Sequence, residues 1–241
     1  MDVSIVIPAF EESKKIGADI ESASAFLENN HLTGEIIVVD DGSGDGSSEA
    51  AKNTAPLPAG IELEVVRYDS HRGKGYAVRA GMEQTSGEYV MFADSGCCVP
   101  YENALRGLSL LKGGACDIAN GSRKVRESRV LEPQSLYRQI CSRIFHWFVI
   151  CVMKIPSEFT DTQCGFKINK GDVGRRLYGE CVSDGFMCDV EIIMRAREKG
   201  WRIREFPIDW SCDRDSRLSP TRSMWRVLFE LITIKRIMAN K

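Results

Sequence analysis

A chain of 241 residues that is 43% hydrophobic can bury one sizeable core and needs no second one to be stable. Nine scattered cysteines with no Cys-x-x-Cys pair argue against a zinc ribbon or a disulfide framework and for free thiols in a reducing compartment. The formal charge of −2 conceals two basic stretches, 122–154 and 214–241, each at +5 with −12 left for the rest, which favours an anionic partner at two places but not a nucleic acid.

In chain order, the opening Met-Asp-Val-Ser runs straight into a strand-like segment, so no export leader is expected. The first half then repeats one unit: a β-branched run, a polar or glycine turn, and a helical pattern. Runs at 3–7, 36–39, 63–66 and 89–92 predict four strands. Continuous apolar strands separated by helices predict an α/β fold, its central sheet mostly parallel and covered by helices on both faces. Ligands then bind beyond the carboxyl ends of the strands. The second half predicts a strand near 117–119, a helix over about 134–153 and a polar loop over 156–165. A helix over 187–199, a strand over 202–208 and a terminal helix after Pro220 follow. The longest uncharged apolar run, Ile144 to Met153, is ten residues, about half of the ~20 needed to cross a bilayer, so no spanning segment is expected.

The turns after the strands carry the chemistry. Pro8-Ala9-Phe10-Glu11-Glu12 ends the first strand and exposes backbone that can meet a planar base. Asp40-Asp41-Gly42-Ser43 sets two carboxylates at the second strand end. These can accept the imide proton of uracil or ribose hydroxyls, or form an Asx turn capping the helix near Asp45. His71-Arg72-Gly73-Lys74-Gly75 combines two cations with glycines that let backbone approach a phosphate, or it is the basic start of a helix. It is neither a Walker loop nor a dinucleotide fingerprint. The fourth strand ends Phe92-Ala93-Asp94-Ser95-Gly96, with an acid placed where a divalent ion can bridge to a diphosphate.

Taken in this order, these motifs resemble the inverting glycosyltransferases of family 2 with the GT-A (nucleotide-diphospho-sugar transferase) fold. Within that family they resemble the polyprenyl-phosphate, or dolichyl-phosphate, glucosyl- and mannosyltransferases. The resemblance runs over nearly the whole chain, through Gly-Ser-Arg at 121–123, Asp-Thr-Gln-Cys-Gly-Phe-Lys at 161–167 and Asp-Val-Glu at 189–191. It implies one domain over 1–241, with 1–120 binding the nucleotide and 121–241 binding the acceptor and ending in an amphipathic helix. It further implies that Pro8, Ala9, Phe10, Glu12, Asp40 and Asp41 hold the nucleoside, with Arg72 and Lys74 nearby. Asp94, with Ser95, belongs to the metal and diphosphate site. Arg123 lies near the sugar or the acceptor phosphate, Asp161 and Gln163 face the reacting centre, and Asp189 with Glu191 lines the sugar pocket. Ser216-Arg217-Leu218 takes the place of a Ser-Lys-Leu element that closes over the donor. The family usually shows Asp-x-Asp where this chain has Asp94-Ser95-Gly96, so Mg²⁺ or Mn²⁺ would rest on Asp94, the diphosphate and water.

The implied reaction moves a hexose, glucose before mannose, from UDP-glucose or GDP-mannose to a polyprenyl phosphate at the cytoplasmic surface of a membrane. The alternatives are a glycan or small hydroxyl acceptor, and a nucleotide-sugar-binding protein impaired in turnover. A phosphate monoester, with a second ionisation near ~6, needs no strong base. A hydroxyl acceptor needs an acid such as Asp161 to take its proton. Arg143 and Lys154 flank the 144–150 apolar run, and Trp225, Phe229 and Ile232 lie among Arg222, Arg226, Lys235 and Arg236. Such helices suit a bilayer interface as well as a core.

Overall fold

The computed structural model describes residues 1–156, 158–212 and 220–239, with side chains for all of these except 220–226 and 239. The first half alternates as predicted: strands β1 (Val3–Ala9), β2 (Gly34–Asp40), β3 (Ile61–Arg67) and β4 (Tyr89–Ala93) enclose helices α1 (Ile16–Asn29), α2 (Ser47–Lys52) and α3 (Lys74–Gln84). Helix α4 (Ala104–Lys112), strand β5 (Ile118–Ser122), short strand β6 (Arg129–Glu132) and the long helix α5 (Leu136–Met153) follow. The chain continues through β7 (Phe166–Lys170), α6 (Gly171–Gly179), α7 (Cys188–Glu198), β8 (Ile203–Pro207), β9 (Asp209–Ser211) and α8 (Pro220–Ala239).

Seven strands make one sheet in the order β3-β2-β1-β4-β7-β5-β8, and β6 pairs with β9 in a separate ribbon. Neighbours are parallel except at β7, which runs antiparallel to both β4 and β5. Every residue of β1 and β2 is buried, as expected of β-branched runs covered on both faces. β3 closes the edge, and its Ile-Glu-Leu-Glu alternation leaves the glutamates outward. Ile5, Ile7, Phe26, Leu108, Phe166 and Phe206 fill the layer under α1 and α4. Val6, Val39, Val78, Met82, Phe92 and Leu177 fill the layer under α3 and α6. A third cluster, with Val149, Met153, Ile193, Leu231 and Ile234, binds α5 and α8 to α7.

The antiparallel strand is what builds the site. Because β7 runs against its neighbours, its amino end lies at the edge where β1, β2, β4 and β5 have their carboxyl ends. The Ala93–Phe166 register and the bond from Asp94 N to Gly165 O (2.8 Å) therefore bring the 161–165 loop beside Asp94. β7 has no strand signature in the sequence, because its alternating Lys167 and Asn169 look like a surface but are both fully buried.

Candidate active site

The turns after β1 and β2, where the nucleoside is expected, are stitched together. Register pairs Pro8 with Val39 and Ala9 with Asp40, so the loops after β1 and β2 start side by side. Asp41 N donates to Ala9 O (2.9 Å), Glu11 N to Ser43 Oγ (2.7 Å) and Glu12 N to Ser47 Oγ (2.8 Å). Both aspartates are buried and engaged: Asp40 accepts from Ser43 N (2.9 Å) and Ser48 Oγ (2.6 Å). Asp41 accepts from Arg72 N (2.8 Å) and Gly73 N (2.7 Å), with His71 Nδ1 at 2.8 Å. A nucleoside would meet them through the turns they build or by exchanging one of these bonds. Phe10 and His71 face each other with ring centroids 4.0 Å apart, a contact that no sequence motif signals.

Gly73 and Gly75 have a packing role that the sequence motif does not reveal. A Cβ on Gly73 (φ +122°) would lie 2.4 Å from Asp184 O, and one on Gly75 would lie 2.4 Å from Ser183 O. The glycines let the start of α3 press against the 183–185 backbone. Arg72 stacks on the Tyr76 ring at 3.5 Å and reaches Asp184 at 3.9 Å, while Arg79 reaches Asp184 at 2.6 Å.

Lys74 turns the other way and is the hub of the site. Its ammonium lies 2.8 Å from Asp94 and 3.2 Å from Asp189, and Lys167 holds the other oxygen of Asp189. Burial alone would favour the neutral amine, but Asp189 and then Asp94 outweigh it and hold the ammonium well above the ordinary lysine value. Burial likewise opposes ionisation of Asp189, yet Lys167 and Lys74 keep its carboxyl below the usual range. The result is a charge-balanced chain, Asp94–Lys74–Asp189–Lys167, of which only Asp94 is appreciably exposed, at 42%. A Cβ on Gly165 would overlap the Asp94 carboxyl, so a larger residue there would push that carboxylate from its present place.

Across the loop from Asp94, Arg123 grips Asp161 in a two-pronged pair, Nε–Oδ2 2.6 Å and Nη2–Oδ1 2.8 Å. Glu205 braces the loop by accepting from Asp161 N (2.9 Å) and Thr160 Oγ1 (2.8 Å). Burial pushes the Asp161 carboxyl upward, but the Arg123 guanidinium overrides it and holds it at about 2. Phe92, Lys167, Asn120 and Glu205 stand in register across β4, β7, β5 and β8, so one row of the sheet supports both halves of the site.

The remaining predicted residues divide. Gln163 is half-buried and its backbone N–H donates to Asp161 Oδ1 at 3.4 Å; Ser95 is half-buried in the turn after Asp94. Glu191, expected to line a sugar pocket with Asp189, does not share its surroundings. Two positions along α7 from Asp189, it points to the opposite side, where its fully buried carboxylate accepts from Val182 N (3.0 Å), Ser183 N (2.8 Å) and Arg195 Nε (2.7 Å). It positions the 182–185 loop. Ser216 and Arg217 lie outside the described residues. Among the described residues no three His, Cys, Asp or Glu side chains converge to cage a metal. A single half-exposed carboxylate, Asp94, fits a hard cation that arrives with phosphate oxygens and water.

The chain is similar to the dolichyl-phosphate beta-glucosyltransferase of Homo sapiens, with 29% identity over 97% of this chain and 74% of the relative. It is similar to the Mus musculus protein of the same name at 30% over the same shares. Among solved structures it resembles glucosyl-3-phosphoglycerate synthase from Mycobacterium tuberculosis, in complex with Mn²⁺, UDP-glucose and phosphoglyceric acid. That match has a TM-score of 0.74 at 18% identity, over 97% of this chain and 79% of that one. Mannosyl-3-phosphoglycerate synthase from Rubrobacter xylanophilus gives 0.73 at 16%, over 100% and 76%. These likenesses establish the GT-A fold, a mostly parallel sheet between helices. The model of Glycosyl transferase family 2 matches residues 4–175, which span every strand-end turn described above from β1 to β7, and the chain belongs to that family.

Proposed function

We propose that this chain transfers a hexose, glucose before mannose, from a nucleotide sugar to a polyprenyl or dolichyl phosphate, with inversion, at the cytoplasmic surface of a membrane. The observation that carries this reading is one sheet edge where the Lys74–Asp94 pair adjoins the Arg123–Asp161 pair. A relative named for glucosyl transfer to dolichyl phosphate supports it over 97% of the chain. Residues 1–120 are assigned to the nucleotide and 121–241 to the acceptor.

In such a transfer an acceptor oxygen attacks the anomeric carbon and the nucleoside diphosphate leaves, so negative charge builds on the diphosphate. Among the described residues Lys74 is the cation held closest to Asp94, and it can shift its ammonium from carboxylate to phosphate without leaving the site. Asp94 is the residue that would hold Mg²⁺ or Mn²⁺. When bound, that ion supplies further neutralisation of the leaving diphosphate. Asp161, held at about 2, is a weak base at neutral pH. This supports an acceptor already ionised, such as a phosphate monoester with its second ionisation near ~6, over a hydroxyl that must lose a proton in flight. Arg123 then binds the acceptor phosphate by sharing its guanidinium with Asp161.

Leu136, Ile140, Ile144 and Trp147 form one exposed stripe on α5, with Trp147 at 67%, and exposed Arg143 stands beside it. No helix among the described residues is long and apolar enough to cross a membrane. The stripe supports contact with a bilayer surface. None of the nine cysteines is in a disulfide, which supports the reducing, cytoplasmic side.

The test is transfer of labelled sugar from UDP-glucose, GDP-mannose and other donors to a polyprenyl phosphate, with Mg²⁺, Mn²⁺ and chelator compared. Glucose transfer that requires lipid phosphate and a divalent ion is expected. Transfer to a soluble hydroxyl acceptor without lipid would replace this reading, and UDP binding with no turnover would make the protein a nucleotide-sugar binder.

A further inference from the structure

The turn after Asp94 has an uncommon backbone. Gly96 has φ +93° and Cys97, which carries a side chain, has φ +49°, so two successive residues occupy the left-handed half of the map. Their amides end on one carboxylate: Gly96 N donates to Asp19 Oδ2 and Cys97 N to Asp19 Oδ1, each at 2.8 Å. The Cys97 thiol adds a third bond to Oδ1 at 3.1 Å. Asp19 is remote in sequence, in the first turn of α1, and wholly buried on a face that also carries Ile16, Ile20 and Ala23. Apolar packing would not choose an acid there, because a buried carboxylate loses hydration that only its hydrogen bonds restore. All three of its donors come from the turn that begins at the exposed acid of the site. At Gly96, where the family commonly has its second acid, the φ of +93° disfavours any residue with a Cβ.

We infer that Asp19 is a positioning residue of the donor site: it clamps the 94–97 turn from below and thereby fixes the Asp94 carboxylate against Lys74, so that a diphosphate and its cation meet a preformed site. This rests on the reading of Asp94 as the diphosphate and cation residue. In place of a second acid reaching out toward the ion, the chain has an internal acid holding the loop that presents the first.

The experiment uses the full chain and its Asp19→Asn and Gly96→Ala variants. The amide of Asn presents an NH₂ to one of the two backbone donors, and alanine at 96 strains the turn while leaving Asp19 intact. UDP binding is measured calorimetrically with MnCl₂ and with EDTA, alongside hydrogen exchange at the Gly96 and Cys97 amides and the KM for acceptor. The expected result is UDP affinity in MnCl₂ weakened about tenfold or more, consistent with losing about one charge-assisted hydrogen bond. Affinity in EDTA and the acceptor KM should change much less, and the two amides should exchange faster. A purely architectural Asp19 would lower the melting temperature and leave UDP affinity in MnCl₂ within about twofold of the parent in both variants, which overturns the inference. If Asp19→Asn does not fold, Gly96→Ala decides by the same criterion. A parent protein that binds UDP with Mn²⁺ yet transfers no sugar would defeat the proposed function and leave this inference standing.

Discussion

Lys74 is the residue on which the proposed donor half should depend, because among the described residues it is the ammonium that joins Asp94 to Asp189. Replacing it with Met leaves Asp189 to Lys167 alone and Asp94 with no cation at 2.8 Å. The donor kcat/KM should fall by about 10²-fold or more, measured by steady-state kinetics, and Lys74→Arg should not restore it, since a planar fork does not fit between two carboxylates set for a point charge. The acid limb of stability belongs to Asp161. Its folded-state value is depressed from 3.8 to about 2, so the contribution of its pair with Arg123 is complete above 3.8 and is lost as pH falls through about 2. That contribution is roughly 2 kcal/mol, and denaturant titrations of the parent and Arg123→Gln at pH 2 to 6 should converge at the acid end. Asp94 was legible as a candidate because it sits in a short polar turn at a strand end, and Arg123 and Asp161 because the motifs around them resemble those of the family. Lys167, Glu205 and Asp19 were not, because each does its work from a buried position that only folding creates.

At the scale of the element, α3 and the 183–185 loop depend on the glycines at 73 and 75. Alanine at 75 would place its Cβ 2.4 Å from Ser183 O and 2.9 Å from Cys188 Cβ. Overpacking of this kind typically costs about 1–3 kcal/mol, and urea unfolding of Gly75→Ala should show a midpoint shift of that size. The donor KM should rise as well, because Lys74 lies between the two glycines. The motif is visible in sequence, but its purpose is not, since a glycine needed for close packing and one needed for a ligand look the same. The β-branched runs of β1 and β2 were readable because both faces are buried. β7 escaped because two polar residues in five point into the protein, where Lys167 is neutralised by Asp189.

At the scale of the molecule, the outer stripe of α5 is the surface on which lipid binding should depend. Trp147→Glu combined with Ile144→Glu places two acids on residues that are 67% and 62% exposed. Sedimentation with vesicles containing anionic lipid should show binding reduced about tenfold or more, with UDP affinity and melting temperature unchanged. The family, the alternating first half and the order of the polar turns were determined by the sequence alone, because parallel strands buried on both faces have a local apolar signature and their loops have a local polar one. Only the tertiary structure decided that β7 reverses and carries Asp161 to Asp94, that Lys74 spans two acids, and that Glu191 faces away from the site. Each of these is a pairing between residues distant in the chain, and such pairings follow from sheet order and burial, which no local pattern encodes.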